Sequence, residues 1–393
     1  MDNERWLLPE GVDEMLPPQA WNLENLRGNL LNLYRKWGYE LVIPPFVEFL
    51  DSLLTGAGSD LDLKTFKLTD QITGRLMGVR ADMTPQAARM DAHQLRRDVP
   101  TRLCYLGTVL HTRPDGFASS RNPLQIGAEL FGHAGAESDV EVLCLMMETL
   151  KQTGINDLYL DLGHVGIYRG LARQAGLDRA AEQALFDALQ RKAAPEIQAL
   201  LAELAVQEPA AGMLASLAEL NGDDAIERAK QRLTEANQEV QDALHYLEEV
   251  AKMIQQRLPN VPLHFDLGEL RCYHYQTGVV FAAFVPGRGQ EIARGGRYDA
   301  IGKMFGRSRP ATGFSADLKT LLQIGKWQTP QPDGERIYAP WSDDAALLQT
   351  VEDLRTQGRC VICALPGQTG AAAEMGCNKI LKKQDNSWIV SSI

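Results

Sequence analysis

Four short stretches carry side chains that could bind a small polar ligand. In Val79-Arg80-Ala81-Asp82-Met83-Thr84 a carboxylate and a hydroxyl stand two residues apart. They could receive an ammonium, and they equally suit a helix start, where Asp and Thr oxygens accept orphan backbone N–H groups. Gln125 and Glu129 are four residues apart in LQIGAELFG, and strand alternation would put them on one face. A glutamine can accept from an ammonium or donate to a carboxylate, and a glutamate can orient an imidazole N–H. Alternation alone would make the pair the polar face of a half-exposed strand. Arg271, in LRCYHYQTGVVF, offers a planar fork to a carboxylate or to a structural ion pair. In ARGGRYD, Gly295 and Gly296 permit close backbone approach, and the Tyr298 hydroxyl can give or take a hydrogen bond.

Two other patterns are set aside. Cys360 and Cys363 form a C-x-x-C, but RCVICAL reads as a buried strand with the two thiols on opposite faces, and no second cysteine pair completes a zinc site. The six cysteines are scattered, as reduced thiols would be. Pro366-Gly367-Gln368-Thr369-Gly370 lacks the lysine and spacing of a phosphate loop and reads as a turn before a helix. No metal and no cofactor are expected.

The elements that must position these residues follow from composition and periodicity. A chain of 393 residues has room for two or three domains, and its charged fraction of 23% is that of an ordinary globular protein. The formal charge of −11 opposes a nucleic-acid backbone, and the absence of a long apolar run or leader-like start predicts a cytosolic protein without a membrane segment. Leu23, Leu26, Leu30, Leu33 and Trp37 make the stripe of an amphipathic helix closed by Gly38. YELVIPPFVEFLDSL should be extended and, holding Pro44 and Pro45, should lie at a sheet edge. Strand-like runs then alternate with helices at Thr84–Leu95 and Glu137–Lys151, and residues 167–258, rich in Ala, Leu, Glu and Gln, should be nearly all helix. The core resumes with two strand patterns, LHFDLGELRCYHYQTGVVFAAFV and EIARGGRYDAIG, joined by a turn containing Pro286, Gly287 and Gly289, and the Pro- and Gly-bearing WQTPQPDGE ends it. The prediction is therefore α+β: a core over 1–328 with an antiparallel sheet and a helical insertion at about 167–258, then a small α/β domain over 334–393. That domain should hold the strand IYAPW, a helix over Asp343–Gln357, the strand CVICAL, and a last helix and strand in NKILKKQDNSWIVSSI.

Taken together, these motifs resemble the class II aminoacyl-tRNA synthetases, and within them histidyl-tRNA synthetase. YLGTVLHTRPDGFASSRNPLQIGAELFG, Tyr105–Gly132, resembles motif 2; the helix and extended run before it resemble motif 1, which implies a homodimer. By this resemblance Asp82 and Thr84 would take the ammonium of histidine, Arg271 and Gln125 its carboxylate, and Glu129, Tyr275 and Tyr298 would frame its ring. His274 and Gln276 depart from the family text. So do the ATP positions: the motif 2 arginine is His111, the glutamate after it is Arg113, the motif 3 arginine is Thr320, its glutamate is Lys319, and a glycine that leaves room for ATP is Asp317. Each lost preorganised donor costs about 3 kcal/mol of transition-state stabilisation, so adenylation should fall by about 10⁴-fold or more if the losses add.

A retained amino-acid pocket, lost ATP arginines and a shortened tail resemble the ATP phosphoribosyltransferase regulatory subunit family. This resemblance implies a non-catalytic chain of histidine biosynthesis, with no catalytic residues of its own. It would work in a hetero-oligomer with a short-form catalytic subunit, with histidine as feedback effector. The rival readings are a synthetase-like amino-acid sensor or RNA-binding protein, and an active histidyl-tRNA synthetase. Nucleic acid is not expected as a partner.

Overall fold

A nine-stranded sheet organises the larger part of the chain. A computed structural model describes residues 6–55, 59–114, 120–268, 276–327, 334–385 and 387–393. These divide into two compact units, Met1–Trp327 and Gln328–Ile393. In the first unit the sheet strands are β1 (Glu40–Leu41), β2 (Thr101–Thr108), β3 (Leu124–Phe131), β4 (Tyr159–His164), β5 (Asn221–Gly222), β6 (Leu263–Asp266), β7 (Val279–Phe284), β8 (Ala293–Arg297) and β9 (Ala311–Asp317). Their spatial order is β1-β2-β3-β9-β8-β7-β4-β6-β5. Pairing is antiparallel except at β1–β2 and β4–β6.

Register makes the two faces of this sheet different. On one face Ile126, Ala128 and Leu130 of β3, Phe314 and Ala316 of β9 and Phe281 of β7 join a buried apolar cluster. Helix Gln19–Lys36 lends that cluster Leu26, Leu30, Leu33 and Tyr34, and helix Ala136–Gln152 lends Val140, Leu143, Met146 and Leu150. On the other face most of the paired positions are small or polar. Glu129 lies opposite Gly313 and Leu103, Gly127 opposite Ser315 and Tyr105, and Gln125 opposite Asp317 and Gly107. The row continues through Gly296 and Arg294 of β8 to Val280 and Ala282 of β7. Glycine is required at its centre: a Cβ on Gly313 would sit 1.5 Å from Glu129 Oε2, and one on Gly127 would sit 2.5 Å from the Tyr105 hydroxyl. The missing side chains let Glu129 and Tyr105 lie across the sheet.

Between β4 and β6 run helices Val165–Gln174, Arg179–Gln190, Ala194–Glu203, Ala210–Ser216, Ala225–Arg232 and Gln238–Arg257. Asp178 and Asn237 cap two of them, accepting from the amides of Ala181 (2.8 Å) and Val240 (3.1 Å). A buried cluster ties the last helix to the sheet. Tyr246 donates to Asp139 Oδ2 at 2.6 Å, Arg297 Nε pairs with the same oxygen at 3.1 Å, and Arg297 also donates to Ser138 Oγ at 2.8 Å. Arg297 is thus structural, although it precedes the candidate ligand residue Tyr298. Among the described residues no helix is long and apolar enough to cross a membrane.

Several local expectations need correction. The extended run after Gly38 is broken into β1, strand Val47–Phe49 and helix Leu50–Leu53, because Pro44 and Pro45 can donate to no ladder. The expected helix over Thr84–Leu95 is α-helical only to Arg89 and continues as a π-helix over Met90–Leu95, closed by Arg96 at φ 49°. In the second unit, strands lie in the order Cys360–Cys363, Arg336–Ala339, Lys379–Gln384, Ser387–Ser392, against helix Ala345–Thr356. The last segment is thus an antiparallel hairpin, not a helix and a strand. Its turn holds Asp385 at φ 46°, a conformation Asp tolerates. No helix follows Gly370 either; residues 372–376 form turns.

Asp139 and Arg297 have side chains exposed by only 0% and 5%. Replacing Asp139 by Ala would leave the guanidinium buried without its carboxylate, at an expected cost of about 3–5 kcal/mol, read as a lowered urea midpoint with an unchanged slope.

Candidate ligand-binding site

The polar face of the sheet is the floor of a cavity of about 580 Å³, a size suited to a small-molecule ligand. Asp82, Thr84, Gln125, Glu129 and Tyr298 all line it. Arg271 and Tyr275, also expected at the site, lie outside the described residues, as does His274. Phe186 and Gln190, from the helical insertion, close part of the wall.

Glu129 is the centre of the site and is only 1% exposed. The Tyr105 hydroxyl donates to its Oε1 at 2.8 Å, and the Tyr298 hydroxyl donates to its Oε2. Tyr105 in turn shares a 2.9 Å hydrogen bond with Thr84 Oγ1. Burial pushes the Glu129 carboxyl up to about 8, with the two tyrosine hydroxyls pulling the other way. Burial thus favours the neutral acid, and a cationic ligand would draw the group toward the carboxylate.

A second set of bonds holds the rim. Gln125 Nε2 donates to Asp82 Oδ1 at 2.8 Å, and Gln125 Oε1 accepts from the Met83 amide at 2.9 Å. Asp82 Oδ1 also accepts from the amide of Thr84, the first residue of helix Thr84–Arg89, at 3.0 Å. The helix-start reading and the ligand reading of Asp82 thus coexist on one carboxylate. The Thr84 hydroxyl faces Tyr105 instead of capping the helix. The sequence reading does not single out Tyr105. Its signal is its place opposite Gly127, visible once β2 and β3 are in register.

At the other end of the cavity, where the resembled enzymes hold ATP, polar groups are spent on the fold. Asp317 accepts from Leu124 N (2.9 Å), Lys319 N (3.2 Å), Thr320 N (3.3 Å) and Thr320 Oγ1 (2.7 Å), as the cap of helix Leu318–Ile324. Lys319 turns to Asp13 Oδ2 at 3.1 Å and to the Asn122 carbonyl at 2.9 Å. Arg121 donates to the carbonyls of His111 and Glu10, both at 3.0 Å. Arg80 donates to those of Thr108 at 2.8 Å and Pro44 at 2.7 Å. Phosphates would meet the Asp317 side chain while these three cations face elsewhere; Lys64, Arg288 and Arg294 also line the cavity, the last paired with Glu291 at 3.1 Å.

Residues 11–321 match the histidyl-tRNA synthetase family, and residues 334–391 match the ATP phosphoribosyltransferase subunit HisZ C-terminal domain. Over 98% of its length the chain is 58% identical to the ATP phosphoribosyltransferase regulatory subunit of Alkalilimnicola ehrlichii, covering 97% of that protein. It is 56% identical over 99% of its length to the protein of the same name from Pseudomonas aeruginosa PAO1, of which it covers 98%. The chain belongs to the ATP phosphoribosyltransferase regulatory subunit family. Its place is thus regulatory and not catalytic, on a class II synthetase-like fold. A crystal structure described as an ATP phosphoribosyltransferase regulatory subunit/histidyl-tRNA synthetase from Bacillus halodurans is 26% identical, with a TM-score of 0.83 over 94% of this chain and 96% of that one. Histidyl-tRNA synthetase from Nostoc sp. PCC 7120, at 17% identity and a TM-score of 0.77 over 98% of this chain and 97% of that one, shares the fold.

The raised Glu129 carboxyl has a signed effect on stability. Between the ordinary value of 4.5 and about 8 the folded chain keeps a proton that the unfolded chain releases. Stability is therefore full below about pH 4.5 and is lost as pH rises to about 8, by on the order of 3–5 kcal/mol from this group. Urea unfolding of Glu129→Gln at pH 5 and pH 8.5 should lack this loss; an equal drop in both proteins would place the titrating group elsewhere.

Proposed function

We propose that this chain is required for full activity of a short-form ATP phosphoribosyltransferase catalytic subunit and carries the histidine site through which the complex is inhibited. Asp82 and Thr84 take the ammonium of histidine, Arg271 and Gln125 its carboxylate, and Glu129, Tyr275 and Tyr298 frame the ring. The observation that carries this reading is the contrast within one cavity. At one end acidic and hydroxyl groups are held in place by protein hydrogen bonds, whereas at the other Asp317 and Thr320 are joined in a helix start and Lys319 turns to Asp13. Gln125 spends its carbonyl and one N–H on the rim, which leaves its second N–H for a ligand carboxylate. Such a site suits an amino acid better than an adenylate.

The complex forms in the cytosol around a homodimer of this chain. The support is the run from Leu41 to Val47, which lies at sheet edges and leaves Leu41, Ile43, Phe46 and Val47 exposed.

Inhibition requires that histidine prefer one state of the complex, with a coupling typically of about 1–3 kcal/mol. The experiment mixes the purified chain with a short-form catalytic subunit and follows phosphoribosyl-ATP formation with and without histidine. Activation reversed by histidine is expected, and no effect on the partner would end the proposal. In the same assay Asp82→Asn, which keeps an oxygen for Gln125 and for the Thr84 amide, should raise the histidine concentration for half-inhibition by about tenfold or more and leave activation intact.

A further inference from the structure

His111 stands where the resembled enzymes keep an ATP arginine, and its surroundings give it a different task. Its backbone is clamped. Val109 N donates to Pro123 O at 3.1 Å, Leu110 N to Arg80 O at 3.0 Å and His111 N to Arg121 O at 2.8 Å, while Arg121 Nε returns to His111 O at 3.0 Å. The residue is 8% exposed and lines the cavity. Ring Nε2 lies 2.8 Å from the Ala81 carbonyl. A carbonyl can only accept, so Nε2 bears the hydrogen, and in the neutral ring Nδ1 is left with a lone pair. That Nδ1 is buried, and among the described residues nothing donates to it.

A buried acceptor without a donor costs free energy, and a ligand-completed contact is one reason for such an atom to persist. The ligand group must bring an N–H or O–H. Ala81, which anchors the ring, directly precedes Asp82, so His111 hangs from the turn that presents the Asp82 carboxylate and the Thr84 hydroxyl. An ammonium has three N–H donors, and this turn offers two acceptors. A carboxylate or phosphate would set its own lone pairs against Nδ1, with Lys319, Arg121 and Arg80 engaged elsewhere.

We propose that His111 Nδ1 is the third acceptor of an ammonium site formed with Asp82 and Thr84, so that a residue standing in for a catalytic arginine now reads the α-amino group of the effector. The inference rests on the amino-acid pocket proposed above. It is tested by calorimetric titration of the full chain with three ligands: L-histidine, histamine, which lacks the carboxylate, and 3-(imidazol-4-yl)propionate, which lacks the amine. His111→Gln, whose longer amide can still reach the Ala81 carbonyl but has no acceptor at the Nδ1 place, should bind histidine and histamine about tenfold more weakly and the propionate unchanged. In the wild-type chain, the ¹⁵N resonance of His111 Nδ1 should shift on adding histamine and stay in place on adding the propionate, a readout that needs no variant. Equal weakening for all three ligands, weakening confined to the two carboxylates, or an Nδ1 resonance that responds to the propionate alone would overturn the assignment. A wild-type chain that binds none of the three would remove the amino-acid pocket itself, and this inference with it.

Discussion

The site depends on one constraint: a carboxylate buried at the centre of an antiparallel sheet. Glu129 can lie there only because the strand beside it has Gly313, where any Cβ would occupy the carboxylate's space. Its oxygens are reached by two tyrosine hydroxyls from different strands, Tyr105 of β2 and Tyr298 just beyond β8. The first is bonded to Thr84 at the start of a helix. The second follows Arg297, whose ion pair with Asp139 also holds Tyr246 of the insertion. Burying a carboxyl without a full cationic partner is unfavourable for the fold alone, so its place at the centre of a cavity fits the ligand role proposed above.

The far end of the cavity follows the opposite rule. A phosphate site needs cations whose donors point into open space, because charge-assisted hydrogen bonds supply the affinity. Here Lys319, Arg121 and Arg80 each find carbonyl or carboxylate partners in the protein, and Asp317, Lys319 and Thr320 form a helix start. These replacements therefore do more than delete arginines. Asp317, Lys319 and Thr320 knit this end into the scaffold, where a catalyst would need free donors. Under the amino-acid reading proposed above, such an end would keep ATP from competing for the same cavity.

Much of this was legible in the sequence where local chemistry and pattern agreed. Strand alternation alone placed Gln125 and Glu129 on one face, and the glycines of GGRYD pointed to a close approach at β8, where a Cβ on Gly295 would sit 2.1 Å from the Gly313 carbonyl oxygen. Tyr105 was hidden because its role depends on register: its partner Glu129 lies on a neighbouring strand 24 residues away. The double duty of Asp82 could be named as two alternatives, but only the bond from Gln125 joins them in one structure. The C-terminal hairpin was misread because Lys379–Gln384 is rich in good helix formers, whose weak propensity yields to pairing with the β-branched run beyond Asp385. The π-helical turn at Met90–Leu95 had no sequence signal; its interior holds Asp91, buried in an ion pair with Arg309 at 2.8 Å.

How such a site could report on its occupant follows from which parts of it can move. The floor is fixed by the ladder pairing of β3, β9, β8 and β7, and a packed sheet does not deform gradually. The walls come from separate elements: the Asp82–Thr84 turn, the His111 segment beyond β2, and helix Arg179–Gln190, which supplies Phe186 and Gln190. Gln190 Nε2 also donates to the Gly268 carbonyl at 3.3 Å, which connects that helix to the end of β6. A ligand shifts an equilibrium only by its difference in affinity between two states. A rigid floor contributes equally to both states and so contributes nothing to regulation. For the regulation proposed above, the difference would have to arise at the walls, and the insertion, which lines the cavity without belonging to the ladder of its floor, is the element best placed to carry it outward.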